Sequence, residues 1–258
     1  MPIYHCKICD LYFTGRSPKE IKNRLSNIYD ERYWSERNSL NSIISNYTDT
    51  DSLGKKRNWI SQFAYCKPYI KNKKKLLEIG VGAGQSLFWF ETAGFDVTGV
   101  EPDVKNVNLI NKKLTKGKCI PSYVEDLQID EKFEIIWMSH VLEHLVQPDL
   151  FIQKVKKNLT SDGIFFVEVP NCENKFMLEK SINEPHIFHF SKNSLLHLVK
   201  SAGFTVKCCD YFRPATLIEG GLNKISKKIS KLENTYPYYP RILTNYKKGR
   251  DLRIILSL

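Results

Sequence analysis

The segment Leu76-Leu77-Glu78-Ile79-Gly80-Val81-Gly82-Ala83-Gly84 constrains the fold of this chain more than any other. An apolar run that ends in three alternating glycines reads as a buried strand entering a tight turn before a helix. The pattern continues through a helical stretch, Gln85–Thr92, and a turn at Ala93-Gly94. A second apolar strand, Val97-Thr98-Gly99-Val100, then stops at Glu101. Strand, glycine loop, helix, strand and terminal acid make one nucleotide-binding βαβ unit.

The glycine spacing narrows the nucleotide. A dinucleotide fold uses G-x-G-x-x-G, so that pyrophosphate sits on the helix N-terminus. Here the third glycine is missing: counted from Gly80 it falls on Gln85, and counted from Gly82 on Leu87. The loop reads E-x-G-x-G-x-G instead, which suits an adenosyl group without phosphates. Glu101 ends the second strand where a carboxylate accepts both ribose hydroxyls.

With His140-Val141-Leu142-Glu143-His144 further on, the segment from Lys75 to Asp103 resembles the class I S-adenosylmethionine-dependent methyltransferases. Within them it is most similar to the group of ubiquinone-type O-methyltransferases and sugar and cell-surface glycan methyltransferases, over about residues 29–210. The resemblance implies an α/β, doubly wound, Rossmann-like sheet of seven strands in the order 3-2-1-4-5-7-6, the last antiparallel. It also implies S-adenosylmethionine as cofactor. Glu78, Gly80, Gly82, Gly84, Gln85, Glu101 and Pro102 are then expected at the cofactor, as are Met138, Ser139 and His140 at the end of the fourth strand. Glu125 and Asp126 both suit the loop that passes the adenine edge.

The histidine motif follows the apolar strand Phe133–Ser139, at the sheet edge where open α/β folds bind ligands. Three readings stay open for it. His140 or His144 could deprotonate an acceptor hydroxyl, an imidazole titrating near the working pH. The strand-end residues could simply pack on the methionine half of the cofactor. His140, Glu143 and His144 could hold a divalent cation that acidifies the acceptor. The catalytic assignment rests on His140 and His144. Further on, His186 and His189 precede a helix, Lys192–Ser201, that Ser191 is placed to cap. The family places such a loop over the acceptor.

Around this core the reading is coarser. Residues 1–70 form an N-terminal extension and 71–258 the methyltransferase domain, with an insertion at about 213–250. The extension opens with Cys6-Lys7-Ile8-Cys9, half of a zinc knuckle, and a plain turn competes with metal binding there. Tyr29, Tyr33 and Trp34 lie on a segment that folds over the cofactor pocket in the family, which makes Tyr29 a substrate and Tyr33 a cofactor contact. The insertion carries an amphipathic stretch, Leu217–Leu232, suited to an acceptor wall or a homodimer contact.

Composition limits the rest. The seven cysteines form no evident disulfide framework and no apolar leader is seen, so the expected location is the cytoplasm. No run reaches the roughly 20 apolar residues of a membrane span. The net charge of +11 is mostly lysine, which favours an anionic small acceptor, such as a nucleotide sugar or phosphorylated glycan precursor, over nucleic acid. A quinone precursor, or carbon or nitrogen methylation of another metabolite, is the alternative within the class. A nucleotide-dependent oxidoreductase or epimerase is the alternative outside it.

Overall fold

The computed structural model describes residues 2–15, 19, 20, 23, 58–183, 186–216, 218, 219 and 241–258. The expected lid residues Tyr29, Tyr33 and Trp34, and nearly all of Leu217–Leu232, lie outside them.

The chain opens with a hairpin, β1 (Ile3–Cys6) and β2 (Leu11–Thr14). Helix α1 (Asn58–Ile70) leads into β3 (Lys75–Ile79), the glycine loop and α2 (Gln85–Thr92). Then follow β4 (Asp96–Glu101), α3 (Val104–Asn111), β5 (Lys118–Pro121) and β6 (Phe133–Ser139). A 3₁₀ turn at Leu142–His144 precedes α4 (Pro148–Lys157), β7 (Leu159–Pro170) and α5 (Lys175–Ile182). The chain finishes with β8 (Phe188–His189), α6 (Lys192–Ser201), β9 (Thr205–Pro214), β10 (Arg241–Thr244) and β11 (Asp251–Ser257).

The main sheet runs β10-β9-β11-β7-β6-β3-β4-β5. Seven of these strands have the expected order, and β11 is antiparallel to both neighbours. The eighth is a correction to the seven-stranded expectation. The insertion returns along the sheet edge, where β10 pairs antiparallel with β9 from Arg241 opposite Pro214 to Thr244 opposite Tyr211. That pairing satisfies backbone groups that β9 would otherwise leave open as an edge.

Both faces of the sheet are covered, which is why its central strands are apolar nearly throughout. Leu77, Ile79, Ile136, Met138, Phe165, Val167 and Leu252 share one core with residues of α4 and α6. Leu76, Ile135, Trp137, Ile164, Phe166 and Ile255 point the other way, into a core with α1, α2 and α3. The alternation along each strand decides which residues meet which layer.

Local signals set most boundaries. Ser191 caps α6 by accepting from Ser194 N–H, with the reciprocal bond from Ser191 N–H to Ser194 Oγ. Asp103 caps α3, accepting from Lys105 and Asn106 N–H, so the helix starts after Asp103, beyond Pro102. Asp162 and Gly163 lie inside β7. Asn158 ends α4, and its side chain donates to the carbonyls of Ile129 and Glu131.

The N-terminal hairpin is knit into the end of the sheet that carries the ligand loops. β2 pairs with β8, Tyr12 opposite His189, and Thr14 N–H donates to Ile187 O. Ile187 N–H in turn donates to Glu143 O in the 3₁₀ turn.

Candidate active site

The loop after β3 is bent by Gly80, Gly82 and Gly84, all at positive φ. At Gly80 a side chain is excluded twice over: φ is 75°, and a Cβ would stand 2.2 Å from Val141 Cγ2. Gly84 is similarly closed, by Ile110 and Phe88. The loop therefore presents bare backbone at the carboxyl ends of β3 and β4, and Gln85 opens α2 directly behind it.

Two buried carboxylates flank this backbone. Glu101 accepts from Gly82 N–H at 2.8 Å and from Asp103 N–H at 3.3 Å. Burial nevertheless pushes its pKa up to about 7 against those two bonds. Glu78 is pushed to about 8, again by burial, with Ser86 Oγ donating to its Oε1. Its other oxygen is buried with no hydrogen-bond partner among the described residues. Backbone donors and a carboxylate at the end of the second strand fit an adenosyl cofactor.

On the adenine-side loop the two expected acids have different surroundings. Glu125 Oε1 accepts from Val146 N–H at 3.1 Å, while Asp126 is exposed. At the end of β6, Met138 is completely buried in the core. Ser139 is bound into a polar network, accepting from Gln62 Nε2 and donating to Glu168 Oε1.

His140 follows with φ at 55°, a backbone state in which histidine is enriched among non-glycine residues. The turn aims its ring at carboxylates: Nδ1 is 3.3 Å from Glu143 Oε1, and Nε2 is 3.3 Å from Glu168 Oε1. The ring keeps part of its surface exposed, and the two acids beside it raise its pKa well above the ordinary value. An imidazolium that donates from both nitrogens holds the acids in place and has no lone pair with which to take a proton.

A second group gathers around Glu143. One ligand-capable atom from each of Glu143, His144 and His186 falls within 4.8 Å of the others, and the rings of His144 and His186 meet edge to face at 4.6 Å. Burial favours the neutral acid in Glu143, yet its bond to His140 and the nearby imidazoles hold it anionic, below the usual range. Its Oε2 is buried without a hydrogen-bond partner among the described residues. His186 and His189 are both drawn down to about 4 by burial, so both are neutral at physiological pH. Ser181 Oγ lies 2.7 Å from Nδ1 of each ring.

The expected trio of His140, Glu143 and His144 is thus redrawn: His140 turns toward Glu168 and His186 takes its place. Cys6 and Cys9 sit at the tip of the β1-β2 hairpin, where backbone N–H groups of Ile8 and Cys9 lower the Cys6 pKa. Neither cysteine belongs to a three-residue ligand group among the described residues. His5 turns instead to Asp10, at 2.7 Å.

Residues beyond the motifs complete the site floor. Glu168 on β7 and Arg253 on β11 pair with no exposure of either side chain. Asn58 and Gln62 of α1 donate to Glu168 Oε1, and Arg253 Nη2 donates to Asn58 Oδ1 and Ser61 Oγ. The available signal was one acid in Phe165-Phe166-Val167-Glu168-Val169 and one arginine in Leu252-Arg253-Ile254-Ile255, each alone in an apolar strand. They stand opposite each other in register.

This strand order, with an E-x-G-x-G-x-G loop and a carboxylate ending the second strand, is the architecture of class I S-adenosylmethionine-dependent methyltransferases. The family model described as a methyltransferase domain matches residues 53–208, and the chain belongs to that family. Among curated relatives it is similar to a ubiquinone biosynthesis O-methyltransferase of Pelagibacter ubique, 30% identical over 59% of this chain and 65% of the relative. A protein of the same name from Nitrobacter winogradskyi is 28% identical over 42% of this chain and 46% of the relative. The match thus spans about half to two thirds of these relatives. A SAM-dependent methyltransferase from Archaeoglobus fulgidus shares the fold at TM-score 0.58 and 18% identity, covering 82% of this chain and 98% of that one. The plantazolicin methyltransferase BpumL, solved with S-adenosylhomocysteine, shares it at 0.53 and 13% identity, covering 92% and 99%. S-adenosylmethionine is the cofactor of this class, and the oxidoreductase or epimerase alternative gives way to it. No helix among the described residues is long and apolar enough to cross a membrane.

Proposed function

We propose that the protein methylates a hydroxyl oxygen of a small anionic acceptor. The observation that carries this reading is the meeting of His186 with Glu143 and His144 of the turn that follows β6, in which Val141 packs on Gly80 of the cofactor loop. S-adenosylmethionine supplies an electrophilic methyl group on a sulfonium, so the protein has only to position an acceptor and ready its oxygen. The backbone of Gly80, Gly82 and Gly84 lines the cofactor, Glu101 accepts from the ribose hydroxyls and Asp126 faces the adenine edge. Glu125 supports that loop through Val146. His140 holds Glu143 and Glu168 in place, and the Glu143–His144–His186 group readies the hydroxyl.

The charge of the acceptor side supports an anionic acceptor. Lys248 and Arg250, with Arg213 paired to Glu219, line a recess of about 480 Å³ beside the β10–β11 connection, which Asn171 anchors through bonds to Tyr246 O and Gly249 O. A nucleotide sugar, a phosphorylated sugar or a surface-polysaccharide precursor suits that recess. The ubiquinone-pathway names of the relatives favour a quinol precursor as the second reading. Incubating the protein with methyl-labelled cofactor and each class in turn separates the two. Transfer to neither, with the cofactor bound, removes the acceptor assignment. His144→Ala should reduce turnover by about 100-fold or more while leaving cofactor affinity unchanged.

A further inference from the structure

We infer that Lys248, Arg250 and Phe176 form the carrier end of the acceptor site. The two cations take the diphosphate of a nucleoside diphosphate sugar, its base stacks at the Phe176 ring, and its sugar extends toward the turn after β6. This rests on the hydroxyl-methylation reading above and narrows its acceptor to a nucleotide-linked sugar.

The charge left over in the recess is the first argument. Arg213 is already neutralised, since its two terminal nitrogens donate to the Glu219 carboxylate at 2.8 and 2.6 Å. Lys248 and Arg250 line the same recess and have no ion-pair partner among the described residues. Two uncompensated cations side by side in a concave surface raise the local potential for an anion, and both side chains suit phosphate oxygens.

The second argument is the frame that carries these cations. In the β10–β11 connection, Asn171 Nδ2 donates to the carbonyls of Tyr246 and Gly249, and Asn174 Nδ2 to those of Lys247 and Gly249. The N–H groups of Lys248 and Gly249 both donate to Asn245 O. Only a glycine passes this close to β9, because a Cβ at Gly249 would stand 2.8 Å from Tyr211 Cβ. Asn174 Oδ1 also caps α5 by accepting from Phe176 N–H at 3.1 Å. One side chain thus ties the backbone of the ring and of both cations to a single frame, so less order has to be imposed when a ligand binds.

The third argument is Phe176 itself. It lines the recess with 58% of its surface exposed, and the Arg250 guanidinium lies 5.5 Å from its ring centroid. A nucleobase has a π-face for an aromatic ring or a guanidinium plane, whereas a simple sugar phosphate would use the cations and leave the ring bare. The polar atoms nearby are occupied: Asn174 spends both ends of its amide on backbone, and Thr216 Oγ1 is bonded to Glu219. Stacking alone holds the base, so the recess accepts different bases with similar affinity.

The fourth argument is position. β7 runs parallel to β6, so its last residue, Pro170, stands at the same end of the sheet as the histidine motif, opposite Asp251. Asn171 N–H donates to Arg250 O at 2.9 Å. Next to Arg250, Asp251 Oδ1 lies 3.9 Å from His140 Nε2, and His140 Nδ1 faces Glu143. The recess therefore adjoins the turn after β6 through Arg250, Asp251 and His140. An acceptor with its charge at one end and its reacting hydroxyl at the other fits that layout, and about 480 Å³ lies within the range of small-molecule sites.

The test uses the full chain with S-adenosylhomocysteine at saturation, which keeps nucleotides out of the adenosyl site. Uridine diphosphate, adenosine diphosphate and pyrophosphate are titrated in turn by calorimetry. Both nucleotides should bind with similar affinity and about 10-fold more tightly than pyrophosphate. Lys248→Ala and Arg250→Ala should each weaken all three by about 10-fold. Phe176→Ala should weaken the nucleotides by about 10-fold and spare pyrophosphate, and Phe176→Tyr should restore them. Affinity for S-adenosylhomocysteine, measured on every variant, reports folding and should not change. No nucleotide bound, binding indifferent to both Lys248→Ala and Arg250→Ala, or a Phe176→Ala loss no larger for nucleotides than for pyrophosphate would each overturn the inference. So would methyl transfer to a quinol precursor or a simple sugar phosphate that Lys248→Ala and Phe176→Ala leave undiminished, and that result would keep the methylation reading. Wild-type protein that binds the nucleotides but not S-adenosylmethionine would sink the methylation reading and leave the nucleotide recess standing.

Discussion

Arg253 donates through Nε to Glu168 Oε2, and neither side chain reaches solvent. The pair joins β11 to β7 below the histidine motif, and through Asn58 and Ser61 it fastens α1 to the sheet. The Arg253 charge holds the Glu168 carboxyl far below the ordinary range, against the burial that opposes ionisation.

Removing the guanidinium strands a buried negative charge. Arg253→Met should therefore destabilise the protein by about 3–5 kcal/mol, measured by urea unfolding. A loss under about 1 kcal/mol would mean that His140 and the amides of Asn58 and Gln62 suffice without Arg253.

The two acids at the glycine loop make stability fall with pH. Unfolded, Glu78 and Glu101 release protons near 4.5; folded, burial holds them to about 8 and about 7. Below pH 4.5 both are neutral in either state, and their contribution is flat. As pH rises the unfolded chain ionises first, so the folded state binds more protons and stability drops until the folded carboxyls ionise too. The effect is on the order of a few kcal/mol across pH 5 to 8. Glu78→Gln should flatten the upper part of that slope in a thermal melt series, and an unchanged slope would contradict the burial argument.

Glu101 should also make cofactor binding depend on pH. An ionised carboxylate accepts hydroxyl hydrogen bonds more strongly than a neutral acid, so S-adenosylmethionine affinity is expected to rise through pH 7. Glu101→Ala should weaken binding by at least about tenfold and remove the pH dependence. Calorimetry at pH 6 and 8 on both proteins is the check.

Gly80→Ala should abolish cofactor binding, because it combines a left-handed backbone with a methyl group 2.2 Å from Val141 Cγ2. In the double variant with Val141→Ala the clash is relieved but the backbone strain is not. Partial recovery of affinity is therefore expected. Full recovery would show that the φ of 75° carries no penalty here.

Local pattern made much of this protein readable from its sequence. The apolar run from Leu76 to Ile79 with its spaced glycines, the acid ending β4 and the Ser191 cap each depend on neighbours a few residues away, where period, turn chemistry and capping act. These carried the family resemblance, and the resemblance implied the order of seven strands and the kind of cofactor. The eighth strand was not readable in this way, because Arg241–Thr244 becomes a strand only where β9 offers an open edge.

The histidines show the same division. His140, His144, His186 and His189 stood out as chemistry-bearing residues, but four residues of spacing could not say which of them meet. Tertiary structure decided it: the left-handed turn at His140 sends that ring to Glu168, 28 positions away, and the bond from Ile187 N–H to Glu143 O brings His186 to the space thus freed. Asn58, Ser61, Gln62, Glu168 and Arg253 meet only because α1, β7 and β11 converge. Buried charge is governed by what surrounds it in space, and a linear pattern carries periodicity along the chain without the distance between its remote parts.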